Sequence, residues 1–326
     1  MAGSDSNNLI GIVLSTVTHT SLVELTEIAK CAEKHGFSTV YINEGKGDAI
    51  TLATAIALKT KSISVGTNIA NIYFRHPYLA ANSIRLLAEA SNGRARIGFG
   101  ISHRDLLRTV GIDMGNARTF LKRYVLEVRL SLQGESNKGF LTPEKAKYHT
   151  PIFVAANTLE TAELAGSVGD GIMPYLSPIS SISTLISAAK KTAEKEKKIE
   201  TFDCVLSIPT FLSDSKTEAL SAAKYNLAFF AMLPNYRRQW RRAGFGKEMD
   251  LIQKSYRDGA HRKDIASLIP ETLVDQVCLY GTAKQCQKTI EAFRNQGVTE
   301  PVLAVSPVSQ TRHQATLEAI EKLSGV

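Results

Sequence analysis

Eight short apolar runs, each followed by a stretch of helical periodicity, restrict the folds open to this chain more than any other feature of it. The runs lie at Leu9–Leu14, Phe37–Ile42, Ile63–Ile69, Ala95–Phe99, Pro151–Ala155, Gly171–Met173, Phe202–Leu212 and Pro301–Val305. They are nearly continuous rather than alternating, the pattern of strands covered on both faces of a parallel sheet. Helical spacing follows at Leu22–Glu33, Asp48–Leu58, Tyr78–Glu89, Arg118–Leu132, Thr158–Val168 and Ile182–Lys195, with a single turn at Arg104–Arg108. A long helix capped by Ser213 or Asp214 runs to about Leu233, and helices at Glu271–Cys278, Lys284–Asn295 and Gln310–Leu323 complete the series.

Eight strand–helix units are the number that closes a (β/α)8 TIM barrel. A doubly wound sheet would show a glycine-rich phosphate turn after its first strand, and Leu14–Thr20 contains no glycine. The α/β barrel is therefore the expected fold, as one domain over residues 1–326. Residues 1–8 form a disordered lead, and 234–269 form a helical insertion after strand 7.

Composition excludes several classes of function. No apolar run approaches the length of about 18 residues that spans a membrane. The first eight residues have neither a basic nor an apolar segment of a signal peptide, so a cytoplasmic location is expected. Cys31, Cys204, Cys278 and Cys286 lack paired spacing and read as reduced thiols. The histidines show no metal-ligand spacing, and no metal is expected.

The net charge of +8 is largely local. Lys190, Lys191, Lys195, Lys197 and Lys198 read as the solvated face of a helix. Arg237, Arg238, Arg241, Arg242 and Lys247 gather around Trp240, where arginine suits bidentate contact with an acidic substrate tail or a second subunit. No nucleic-acid partner is expected.

In a barrel the chemistry sits just past the strand ends. Those positions hold Ser15, Thr18 and His19; Asn43, Glu44 and Gly45; Asn68 to Asn71; Ser102, His103 and Arg104; Ala156, Asn157 and Thr158; Ser177; and Ser306. Glu44 and His103 are the titratable groups best placed to handle protons, with a Glu44–Lys46 salt bridge as the plainer reading of Glu44. Ala156–Thr158 leads straight into a helix, whose free N–H groups favour a phosphate. The third run is irregular: Gly66, Asn68 and Asn71 break its apolar pattern, as at a bulge, before Arg75-His76-Pro77 opens a helix.

These stretches together resemble the bacterial-luciferase-like family of flavin and deazaflavin oxidoreductases, above all its coenzyme F420-dependent, methylenetetrahydromethanopterin reductase-like branch. The resemblance rests on Gly36-Phe37 through Asn43-Glu44-Gly45, Val65 to Ile69 with Arg75-His76-Pro77, and Gly93-Arg94 through Gly98 to Gly100. It continues through Pro151 to Ala156, Ala165 to Gly171, Gly281-Thr282 and Gly297-Val298.

The resemblance implies a TIM barrel with the cofactor ring in its mouth, backed by a bulge whose non-prolyl cis peptide falls at Asn68–Ile69. It implies cofactor contacts from Asn43, Thr67, Asn68, Ile69 and Ser102, a phosphate loop at Ala156, Asn157 and Thr158 with Ser177, and catalytic roles for Glu44 and His103. The chain departs from the family at Gly45, where several relatives carry histidine, at His103, where others have glutamate or glycine, and at Asn157-Thr158, which replaces a glycine-rich turn.

The expected activity is F420-dependent hydride transfer to or from a small organic substrate by a homodimer. An FMN-dependent monooxygenase and a non-catalytic barrel that partners another enzyme are the alternatives.

Overall fold

The computed structural model describes residues 9–18, 21–135, 143–196 and 201–325. The lead at 1–8, His19, Lys197, Lys198 and part of the loop after Gly134 lie outside the described residues.

Eight parallel strands close into a ring. They are β1 (Gly11–Ser15), β2 (Thr39–Asn43), β3 (Ser64–Asn71), β4 (Ala95–Gly100), β5 (Ile152–Ala155), β6 (Gly171–Met173), β7 (Asp203–Leu212) and, last in the chain, β9 (Glu300–Val305). Each pairs with the next, β6 with β7, β7 with β9 and β9 with β1, so no ring edge is left open. A further strand, β8 (Leu279–Gly281), pairs only with Thr210–Leu212, where β7 overruns the ring. Three residues are too few to show a period, and the sequence reading does not separate β8 from the helix before it.

Helices α1 (Leu22–Lys34), α2 (Ala49–Ala57), α3 (Pro77–Ala90), α4 (Arg104–Thr109), α5 (Ala117–Leu132), α6 (Leu159–Val168) and α7 (Ile179–Lys195) follow the first six strands. Several of their starts carry side-chain caps: Ser21 accepts from the Glu24 N–H, Asp48 from Thr51 and Thr158 from Thr161. At α3, Pro77 takes the first helical position and His76 caps it by accepting from the Tyr78 N–H. After β7 comes α8 (Lys216–Ala231), capped by Ser215 rather than by Ser213 or Asp214.

The segment Pro234–Leu268 folds as three helices, α9 (Pro234–Arg242), α10 (Gly246–Arg257) and α11 (Arg262–Leu268). The remaining helices are α12 (Glu271–Val277), α13 (Ala283–Arg294) and α14 (Arg312–Lys322). Trp240, Met249, Ile252 and Ile265 of the inserted helices bury against Leu227 and Ala231 of α8, forming an apolar cluster apart from the core between strands and helices. This burial is what holds the insertion down on the barrel.

Tyr41, Phe153, Met173, Val205 and Val302 fill the inside of the ring. At its lower end the Arg96 guanidinium lies 4.8 Å above the Phe153 ring and 3.3 Å from carboxylate oxygens of both Glu300 and Asp203. Glu300 is 1% exposed and also accepts from Tyr41 Oη at 2.9 Å and Ser38 Oγ at 2.7 Å, so this buried charge is fully partnered. Gly66 shows why β3 breaks its apolar run: a Cβ there would fall 1.7 Å from the Arg96 carbonyl oxygen. The two strands approach too closely for any side chain.

Candidate active site at the barrel mouth

At the upper end of β3 the pairing with β4 loses register between Thr67 and Ala70. The Asn68–Ile69 peptide is cis. The two residues that leave the ladder are tied down on both sides. Asn43 Nδ2 donates to the Asn68 carbonyl at 3.2 Å, the Glu44 N–H donates to the Ile69 carbonyl at 3.3 Å, and Asn68 Nδ2 donates to Ser207 Oγ at 2.9 Å. Ile69 packs against the apolar residues inside the ring and over Gly100, where a Cβ would come within 2.8 Å of Ile69 Cγ1. The outcome is a fixed, half-buried apolar wall at the mouth. Thr67 lies below it, fully buried, with its hydroxyl donating to the Gly98 carbonyl and accepting from the Gly98 N–H. Its side chain serves the β3–β4 pairing and is not open to a ligand.

Glu44 also has a different task from the one its position predicts. Its carboxylate accepts from the Asn71 N–H at 2.6 Å and the Ala49 N–H at 3.3 Å, and both its oxygens are held by the Arg75 guanidinium. Arg75, rather than Lys46, is its ion-pair partner, and Arg75 reaches Asp48 as well at 2.9 Å. With side-chain exposures of 7% for Arg75 and 3% for Glu44, the pair is an internal brace between the β2 and β3 ends, not a proton donor facing the mouth.

His103 faces different surroundings. Ser102, at φ 58°, turns the chain after β4 so that His103 opens α4, yet the imidazole makes no capping bond. Among the described residues it has no hydrogen-bond partner. Its ring centre lies 5.8 Å from that of Tyr236 on α9. Burial pulls its pKa below the ordinary histidine value, with Asp105 opposing, so the ring is neutral at neutral pH.

The phosphate loop is more occupied than its sequence implies. Ala156 is buried, with its N–H directed at the Met173 carbonyl. Asn157 Oδ1 accepts from the Tyr175 N–H at 2.9 Å, and Thr158 forms a reciprocal capping box with Thr161. Glu160, in the first turn of α6, is held below the usual carboxylate range by the Thr158 hydroxyl and its own N–H, with Arg242 and Arg118 adding to the effect. Ser177 Oγ accepts from Gln239 Nε2 at 3.0 Å and keeps its own proton to donate.

Sequence spacing gives no sign of the roles of Gln239 and Trp240. Gln239 Nε2 also reaches the Leu176 carbonyl at 3.1 Å, and the Trp240 indole N–H donates to the same carbonyl at 3.1 Å. They fasten α9 across the β6–α7 loop. Half of the arginine cluster is engaged internally. Arg237 is buried and donates to the Ala231 carbonyl at the end of α8, and Arg241 pairs with Asp250. Arg238 and Arg242 remain exposed.

Known proteins share this architecture. The chain is 25% identical over 324 residues to the 5,10-methylenetetrahydromethanopterin reductase of Methanolobus tindarius, covering 90% of this chain and 93% of that one. The structure of the coenzyme F420 dependent tetrahydromethanopterin reductase from Methanopyrus kandleri superposes with a TM-score of 0.80 at 20% identity, covering 97% of this chain and 98% of that one. A monooxygenase from Streptomyces bottropensis superposes with a TM-score of 0.68 at 20% identity, covering 97% and 98%. The family model for luciferase-like monooxygenases matches residues 9–300. This chain is a TIM-barrel enzyme that belongs to the luciferase-like monooxygenase family, a family of oxidoreductases.

Proposed function

We propose that the protein is a coenzyme F420-dependent oxidoreductase acting on a small organic substrate. The observation that carries this reading is the pinned wall at Asn68–Ile69, an apolar backing for a flat ring at the same barrel mouth as a neutral histidine that has no hydrogen-bond partner among the described residues. Similarity to an F420-dependent reductase over nearly the whole chain supports the choice of cofactor. When bound, the deazaflavin supplies the hydride chemistry, and the protein supplies position and electrostatics.

The residues fit such a group at its ring end. Ile69 would back the ring, with Asn43 and Asn68 holding that backing in place and Ser102 shaping the chain after β4. At the phosphate end the fit is looser, because Asn157 and Thr158 spend their side chains inside the protein, Thr158 takes the Thr161 N–H and Glu160 takes its own; the Ser177 hydroxyl and the Leu159 N–H are the donors left there among the described residues. His103 holds or releases the proton that accompanies hydride transfer, and Glu44 acts on the site only by keeping the β3 end in place.

The second reading is an FMN-dependent monooxygenase, supported by the family model and the likeness to the Streptomyces bottropensis enzyme. The chain's single tryptophan, Trp240, is 6.1 Å from Tyr236 at the rim, so its fluorescence reports on the mouth. Titration with F420 and with FMN separately should quench Trp240 with F420 at the lower concentration. Tight FMN binding without F420 binding would overturn the reading. We also propose a cytoplasmic homodimer, with exposed Leu79 and Leu86 of α3 as its contact face; a monomeric mass by light scattering would exclude the dimer.

A further inference from the structure

We propose that Tyr236, carried into the mouth by the inserted helix α9, fixes the polar atom of the substrate, and that with His103 it selects molecules bearing a hydroxyl or amine at the reacting carbon. The inference rests on the oxidoreductase reading above and adds to it a substrate class and a recognition residue.

Tyr236 is only 5% exposed, its ring enclosed by Phe230 at 5.1 Å, His103 at 5.8 Å, Trp240 at 6.1 Å and Tyr175 at 6.2 Å between ring centres. A phenol buried this far normally finds a hydrogen-bond partner in the protein. The Tyr236 hydroxyl has none among the described residues, and it is absent from the sealed polar atoms that lack partners, which include the Tyr124 hydroxyl. The remaining exposure of Tyr236 therefore includes its hydroxyl, while the ring packs among aromatic neighbours.

The location is set by three strand ends. His103 follows β4, and Tyr175 follows β6 and bridges to Ser207 of β7, the residue that holds Asn68. Tyr236 therefore stands over the same mouth as the Asn68–Ile69 wall. Its position is rigid, because Gln239 and Trp240 on the next turn anchor α9 to the Leu176 carbonyl.

The two groups are chemically complementary. Burial raises the Tyr236 pKa well above its ordinary value, so the phenol keeps its proton and can donate. Neutral His103 can offer an unprotonated ring nitrogen as acceptor. A hydroxyl or amine can accept from the first and donate to the second, whereas a hydrocarbon in the same place satisfies neither. A site that holds buried polar groups for a hydroxyl discriminates strongly against its methyl isostere.

Cyclohexanol and methylcyclohexane, alike in shape, provide the test. Ligand-observed NMR should measure their affinities for protein saturated with F420 and, in parallel, with FMN. The unaltered protein should prefer cyclohexanol, and Tyr236→Phe should reduce that preference about five- to tenfold with methylcyclohexane binding and Trp240 quenching by the cofactor unchanged. Tyr175→Phe, which removes a neighbouring phenol, should leave the preference intact. Retention of the full preference by Tyr236→Phe, or its loss in Tyr175→Phe instead, would overturn the proposal. Failure of F420 to bind would show separately in the Trp240 signal, and the FMN arm would still decide the role of Tyr236.

Discussion

Replacing Arg75 by Met isolates what the buried Glu44–Arg75 brace does. The substitution keeps the unbranched stem of the side chain without its guanidinium and leaves the Glu44 carboxylate, 3% exposed, with the Asn71 and Ala49 N–H groups but no cation. Stranding a charge in this way costs about 3–5 kcal/mol. For 326 residues the unfolding entropy near the transition is about 0.7 kcal/mol/K, so Tm should fall by about 4–7 °C.

The paired variant Glu44→Gln with Arg75→Met removes both charges while an amide oxygen still accepts from Asn71. It should recover more than half of that loss, because the penalty lies in the unpaired charge and not in the missing contact. Denaturant titrations of the parent, both single variants and the pair give the coupling energy directly. If the pair is no more stable than Arg75→Met alone, the assignment of Glu44 as an anchored charge is wrong.

Four further outcomes are expected. His103→Ala should lower turnover about 100-fold or more while cofactor affinity stays nearly constant. Since burial depresses the imidazole's pKa in the folded protein, its stabilising effect is full above about pH 6.5 and is lost as pH falls through the lower folded value; NMR titration of the ring should place its midpoint below that of a free histidine. Glu33, whose carboxylate accepts from the Lys61, Ser62 and Ile63 N–H groups, has its pKa brought down to about 2 by those bonds despite opposing burial. Its stabilisation is present above the free-glutamate range and lost on acidification towards pH 2, so Glu33→Gln should flatten that part of the stability profile measured by denaturation at each pH. Gly66→Ala should force β3 from β4 and leave little soluble folded protein, as judged by circular dichroism and gel filtration.

Most ring strands were legible as apolar runs long enough to register, the three-residue β6 by the turn at Gly169-Asp170-Gly171 that opens it, and helix starts at Pro77 and Thr158 were legible from local chemistry alone. What stayed hidden depends on contacts between distant residues. Lys46 is two residues from Glu44, yet Arg75 reaches it because strand register brings the ends of β2 and β3 together. Thr67 occupies a strand end in sequence but is sealed by its bonds to Gly98. Asn157 and Thr158 looked free for phosphate, and only their partners Tyr175 and Thr161 reveal that they are engaged. Tyr236 lay in an insertion with no strand to orient it, so its approach to His103 could not be read from spacing.

The Arg96–Glu300 cluster at the foot of the barrel bears on how the chain is made. Seven of the eight ring strands leave the ribosome before Glu300 does, and β9 then enters between β1 and β7. Until that moment the nascent sheet has two unpaired edges, and Arg96 has only Asp203 among its eventual carboxylates. A protein ending before β9 would accordingly be an open sheet in which Arg96 lacks its buried carboxylate partner, exposed to aggregation, and not a smaller barrel. Completion of the last strand thus closes the hydrogen-bonded ring and seats Glu300 against Arg96 and Tyr41 in the same event.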